Sequence, residues 1–247
     1  MKNLFVSTLL LISCSINVFA QDKSQGVVKY ERKMNFRQMM MKQKHISQEE
    51  KDRMALMKDN TWDEKLKLYF SPEASFFTLS EEEDEANKYG YSWRQPEFKL
   101  FRDFKAERQT DVMEMFGKTY IIDDSLRTPT WRIKTQIKSI KGYICLKAIA
   151  VDSIKKTTTI AWFTDAIPTQ AGPERMYGLP GLILELDIND GDVVITATDI
   201  AFKPVAEFLK TPKAKGKKLK EADYQVLIKK KIDEAEQEKS FPWGIRW

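Results

Sequence analysis

The sequence predicts a mainly β fold: an antiparallel meander sheet, curved or partly closed into an open barrel, with one insertion helix and one C-terminal helix. Three observations carry this. Short runs rich in Val, Ile, Phe, Tyr and Thr recur along the chain. Turn residues separate them at intervals of about 8–12 residues, too short for the crossovers that parallel strands require. Helical patterning appears in two places only.

Met1 to Ala20 reads as a secretory signal peptide, with one charge at Lys2, an apolar stretch from Leu4, and a small residue at the cut after Val18-Phe19-Ala20. Ser7, Thr8, Ser13, Ser15 and Asn17 interrupt the apolar core, which argues against a membrane anchor of roughly 20 apolar residues. Leu11-Ile12-Ser13-Cys14 also resembles a lipobox, which would make Cys14 the lipidated first residue; the apolar run continuing to Ala20 favours the later cut. Residues 21–247 are then expected to form one β-rich domain, exported to the periplasm or held at the outer membrane, with no transmembrane span.

The first strand is expected in "QGVVKYERKMNF", where Val28, Tyr30, Arg32 and Met34 alternate against Val27, Lys29, Glu31 and Lys33. A Met-rich insertion over 37–60 follows. Its Ser47 and Glu50 make a capping box that starts a short amphipathic helix carrying Met54 and Met57. "EKLKLYFS" and "ASFFTLS" flank Pro72 as a hairpin. Residues 81–97, which include five consecutive acids from Glu81 to Glu85, read as an exposed mobile loop. Eight further strands follow, from "EFKLFRDF" to "DVVITATDI". The segment 209–247 changes character: "LKTPKAKGKKLK" holds six lysines and no acid, Tyr224, Leu227, Ile228 and Ile232 form a helical apolar stripe, and the tail "SFPWGIRW" is too apolar to float free.

Composition removes several function classes. Once the leader is cut, Cys145 is the one cysteine left, so no internal disulfide is expected and stability must come from a core, for which 42% hydrophobic and 11% aromatic residues suffice. A thiol nucleophile needs a base, and the only histidine, His45, lies in the polar insertion. Cys145 therefore reads as a core residue. One histidine and one cysteine supply no zinc or copper set, and the acidic run lacks the spacing of a calcium loop, so no cofactor is expected. Met39, Met40 and Met41 are the weak candidates for a thioether copper site, with packing preferred. The lysines do not imply nucleic acid; contact with lipid head groups suits them better.

In the centre of the chain, "IKGYICLKA" and "TIAWFTDAIPTQAGPERMYGLPGLILELD" carry Trp-Phe-Thr, Ile-Pro, Gly-Pro and Gly-Leu-Pro-Gly-Leu-Ile in that order. This region, roughly 137–200, resembles the GLPGLI family, exported proteins of Gram-negative bacteria. The resemblance implies a β-rich fold in the cell envelope and implies no activity. Its motif positions here are Pro168, Gly172, Pro173, Gly178, Leu179, Pro180, Gly181, Leu182 and Ile183.

Leu179-Pro180-Gly181-Leu182 fits a type II turn that delivers a core strand, with Leu182, Leu184, Leu186 and Ile188 on one face and Ile183, Glu185 and Asp187 on the other. Asp190-Gly191 fits a type I′ corner after it. No phosphate-binding motif is present. Trp162, Glu174, Arg175 and Tyr177, all in or beside this region, are the candidate ligand or partner residues, although a Glu174–Arg175 salt bridge would explain two of them equally well. Three functions stay open. One is a non-enzymatic binding or accessory protein with an outer-membrane complex or a lipid or peptide ligand, held against a concave apolar face. Another is a hydrolase of envelope polymers using Glu174, Asp165 and Asp187. The third is a copper handler built on the methionines.

Overall fold

The computed structural model describes residues 22–56, 61–81 and 96–246. The expected signal peptide with Cys14, residues 57–60 of the insertion, and all but the ends of the acidic stretch 81–97 lie outside them. The elements run β1 (Gly26–Asn35), α1 (Phe36–Met41), α2 (Gln48–Leu56), β2 (Thr61–Phe70), β3 (Ala74–Leu79), β4 (Phe98–Asp103), β5 (Arg108–Met115), β6 (Lys118–Ser125), β7 (Arg132–Ile140), β8 (Tyr143–Asp152), β9 (Thr157–Thr164), β10 (Leu182–Ile188), β11 (Val193–Phe202), β12 (Lys217–Leu219) and α3 (Glu221–Gln237). Each expected strand and both expected helices are present. The sequence reading did not foresee α1, capped by the Asn35 side chain accepting from the Gln38 amide, or β12.

The twelve strands form one sheet in the order β12-β6-β5-β4-β3-β2-β1-β11-β10-β9-β8-β7. Every pairing is antiparallel except β12 with β6. The sheet is strongly rolled without closing. β6 and β7 stand ten places apart in that order, about 48 Å in a flat sheet. Residues 126–131 join them, and that link reaches at most about 25 Å. α3 bridges the same opening: Lys231 lies over the Phe116 ring beside β6, and Glu236 pairs with Lys156 in the β8–β9 turn.

One face of the roll carries the core. Tyr30, Leu66, Phe77, Leu100, Met113, Ile122, Ala161 and Leu186 alternate inward from eight strands, and Tyr224, Ile228 and Ile232 of α3 belong to the same buried cluster. α3 was expected to flank the sheet. It does so across the opening of the roll, its apolar stripe covering an inner face that no second sheet covers while Val226 on its far side stays exposed.

α2 starts on the predicted capping box, Ser47 and Glu50 exchanging hydrogen bonds. It buries none of its described residues, and Leu56 is exposed; Met57, expected on its apolar side, lies outside the described residues. The Lys-rich segment crosses the outer face from β11 to β12, with Phe208 stacked on Tyr69 at 4.3 Å. The tail docks on the molecule, burying Ile245.

Candidate functional site: a cavity beside the Glu174–Arg246 ion pair

Residues 165–181 leave β9, cross the rolled interior and return as β10. Ile167, Ala171 and Leu179 are fully buried along the way. The loop needs its glycines for close approach. A Cβ on Gly172 would sit 2.4 Å from the Met176 carbonyl oxygen, and one on Gly181 would sit 2.1 Å from that of Thr164. The expected type II turn is not formed. The Gly181 amide bonds to the Leu179 carbonyl, a tighter three-residue turn about Pro180, while Leu182 donates to Ile167 and Ile183 to Ala171.

A bulge between Ile183 and Glu185 then changes the expected faces of β10. Ile183 stands opposite Phe163, and Leu186 opposite Ala161, so Ile183 shares the inner face with Leu186 rather than with Glu185. The Tyr30 hydroxyl donates to the Ile183 carbonyl at 2.6 Å, tying β1 to this bulge. The corner after β10 is longer than a two-residue turn: Asn189, Asp190 and Gly191 all have positive φ between Ile188 and Val193.

The loop's charged pair splits. Glu174, held at φ +56°, points to one side and Arg175 to the other, and no salt bridge joins them. On the Glu174 side, Arg246 of the tail donates from Nε and Nη2 to both carboxylate oxygens, at 2.7 and 2.8 Å. Arg32 donates to Glu64 at 3.0 Å and stands 4.0 Å from Glu174. Arg246 completes the quartet 3.5 Å from Glu64, with its guanidinium over the Phe98 ring at 3.3 Å.

On the other side, Arg175 donates to Asp111 at 2.9 Å and to Glu221, the first residue of α3. Asp111, fully buried, also accepts from Arg102, and Gln109 donates to Glu221 at 2.9 Å. Burial works against the charge on Arg175, but Asp111, Tyr224 and Glu221 outweigh it and raise its pKa above the ordinary guanidinium value. Tyr177 closes this side: its ring lies 5.3 Å from the Arg102 guanidinium, its hydroxyl accepts from the Arg127 amide, and its carbonyl accepts from Trp131.

Arg32, Glu64 and Arg246 of this quartet line a cavity of about 820 Å³, and Glu174 is joined to it through Arg246. Met34, Phe36, Met39, Trp62, Phe98 and Met113 wall it, and the tail from Phe241 to Arg246 runs along it. That volume suits a drug-sized or chain-like ligand. The cavity walls are mainly apolar; Arg32 and Arg246 on it pair with Glu64 and Glu174, Glu97 and Glu114 stand at its rim with the Glu97 amide donating to the Glu114 carboxylate, and Arg32 Nε is buried without a partner among the described residues.

Residues 152–185 match a protein family described as a protein of unknown function (Porph_ging). The matched stretch is the end of β8, all of β9, the interior loop and the start of β10. No curated protein matches the chain. Among solved structures, PNGF-II resembles it in two crystal forms, P21 and C2, with TM-scores of 0.55 and 0.54 and 13% identity in both. The alignments cover 83% of this chain and 33% and 32% of PNGF-II, so the chain spans about a third of that protein's length. At such identity the likeness is one of fold.

The structure brings together only part of the predicted set. Glu174, Arg175 and Tyr177 share the loop, with Glu174 on the cavity side. Trp162 lies on the outer face of β9, between Lys138 and Lys147 at 5.6 and 6.0 Å. The three acids of the hydrolase reading occupy separate places. Asp165 is exposed, Asp187 accepts from the Gly191 amide in the β10–β11 turn, and both oxygens of Glu174 are taken by Arg246. Met39, Met40 and Met41 are successive residues of a six-residue helix, so they leave it about 100° apart; Met39 is buried on the cavity wall. Cys145 is fully buried in the core, and burial pushes its thiol up to about 11. Among the described residues no three His, Cys, Asp or Glu side chains gather as a metal site.

Sequence reasoning missed Arg32, Glu64, Asp111, Glu221 and Arg246. A signal existed for three of them, Asp111 being one because it falls in the inward register of Met113. Arg32 falls in the inward register of Tyr30 and Met34, and Glu64 in that of Leu66 and Leu68, so each strand offers a charge where its alternation demands an apolar residue.

Proposed function

We propose that the protein is a non-enzymatic binding or accessory protein of the cell envelope, of the GLPGLI type, which holds an apolar ligand or partner segment in the cavity beside Glu174. One observation carries the reading: the cavity of about 820 Å³ has aromatic and methionine walls, and both of its arginines are already held by carboxylates. A site so lined favours an acyl chain or the apolar face of a peptide, because burying such a ligand removes apolar area from water on both sides. Glu64 on its wall and Glu174 behind Arg246 are held by arginines rather than left free as glycoside cleavage requires. Export rests on the leader-like residues 1–20. Among the described residues no helix is long and apolar enough to cross a membrane.

Native mass spectrometry of the chain purified from bacterial envelopes under mild conditions tests this reading. The expected spectrum contains a protein species with bound lipid or a co-purifying outer-membrane protein. A clean unliganded monomer from those preparations would contradict it.

A further inference from the structure

We propose that the strap between β11 and β12 is a docking surface for an anionic phospholipid membrane. Lys210, Lys213, Lys215, Lys217 and Lys218 are all exposed. None of them has an acidic partner among the described residues, whereas lysines elsewhere, such as Lys138, Lys156, Lys229 and Lys231, are paired. Five unpaired ammonium groups within nine positions repel one another, so an anionic surface that neutralises them gains more than it would from scattered charges.

The strap holds these charges in place. Val205 is fully buried at its start, Phe208 stacks on Tyr69, and Gly216 packs so closely on Thr119 that a Cβ there would lie 2.6 Å from the carbonyl oxygen. Beyond Gly216, β12 pairs with β6. Lysines on an edge strand also keep other strands away, which accounts for Lys217 and Lys218. It does not account for Lys210, Lys213 and Lys215, which precede the strand. Phe208 beside them is partly exposed at 38%, and an aromatic ring next to lysines is the composition of a segment that sits at a head-group layer. That ring favours a lipid surface over a soluble polyanion.

Sedimentation of the full chain with phosphatidylcholine vesicles, with and without phosphatidylglycerol, tests the proposal. Binding is expected only with the anionic lipid, and salt at about 0.5 M, where the Debye length is near 4 Å, should release it. The triple variant Lys210→Gln, Lys213→Gln, Lys215→Gln should bind more than about tenfold more weakly. A control that removes three charges elsewhere, Lys44→Gln, Lys51→Gln, Lys134→Gln, should bind as the parent does. Equal loss in the control would overturn the proposal, leaving a net-charge effect. Unchanged binding by the strap variant would overturn it too, as would binding to heparin at the same salt with none to vesicles. Matching melting curves for the variants and the parent exclude misfolding as the cause.

Discussion

Glu174 and Arg246 lie 72 positions apart and form a two-pronged ion pair, Nε to Oε2 at 2.7 Å and Nη2 to Oε1 at 2.8 Å. This contact fastens the tail to the interior loop along the cavity. Neutralising Glu174 leaves Arg32 and Arg246 sharing Glu64 alone, an excess buried charge that costs about 3–5 kcal/mol. Glu174→Gln should therefore lower stability by that order in urea unfolding. Hydrogen exchange should quicken at residues 241–246 first. Stability within about 0.5 kcal/mol of the parent would show that the pair does not hold the tail.

Asp111 is the other structural anion, accepting from both Arg102 and Arg175 with no exposure to solvent. Asp111→Asn keeps the shape but leaves two buried guanidinium groups short of charge. A loss of about 3–5 kcal/mol in chemical denaturation is expected. A double-mutant cycle between Arg175 and Glu221 should show coupling of about 0.5–3 kcal/mol.

The glycines divide by what surrounds them. At Gly181 an added Cβ would meet the Thr164 backbone at 2.1 Å, and at Gly117 it would meet nothing within 4 Å. Gly181→Ala should prevent folding or cost several kcal/mol, since backbone cannot move aside cheaply. Gly117→Ala should cost only about 1 kcal/mol, the ordinary penalty of a left-handed alanine. Soluble yield and melting temperature of the two variants separate these cases.

Cys145 gives a pH prediction. Burial raises its thiol from 9.0 to about 11, so the folded state keeps the proton that the unfolded state loses. Its contribution to stability is fully present below about pH 9 and is lost as pH rises through about 11. Cys145→Ala should flatten the decline in stability over that interval. In the native protein at pH 8 the thiol should stay unreactive to a thiol reagent until denaturant is added.

Much of the fold was legible because strand alternation and turn residues are local signals. Each of the eleven long strands lies within about three residues of its expected place, as does α3. β12 was not legible, since three residues of a lysine-rich segment gain their pairing from β6 alone. The roll of the sheet could be guessed from its length, but the placement of α3 across its opening follows from tertiary packing. The site was half legible. Glu174, Arg175 and Tyr177 stood out in the loop, yet their partners Arg246, Glu221 and Asp111 come from distant segments that no local pattern connects. The Leu179–Leu182 turn was misassigned because two inward amides bond to Ile167 and Ala171, a contact only the folded loop supplies.

The central claim is that the cavity beside Glu174 binds an apolar ligand, and a cavity-filling substitution tests it most directly. Met113, 1% exposed, lies on the cavity wall, so Met113→Trp should occupy space there while keeping the wall apolar. Titration with a fluorescent acyl-chain probe should saturate at one probe per parent chain. The variant should bind at least about tenfold more weakly with its fold retained by circular dichroism. Equal affinity of the folded variant and the parent, or no saturable binding to either, would contradict the account.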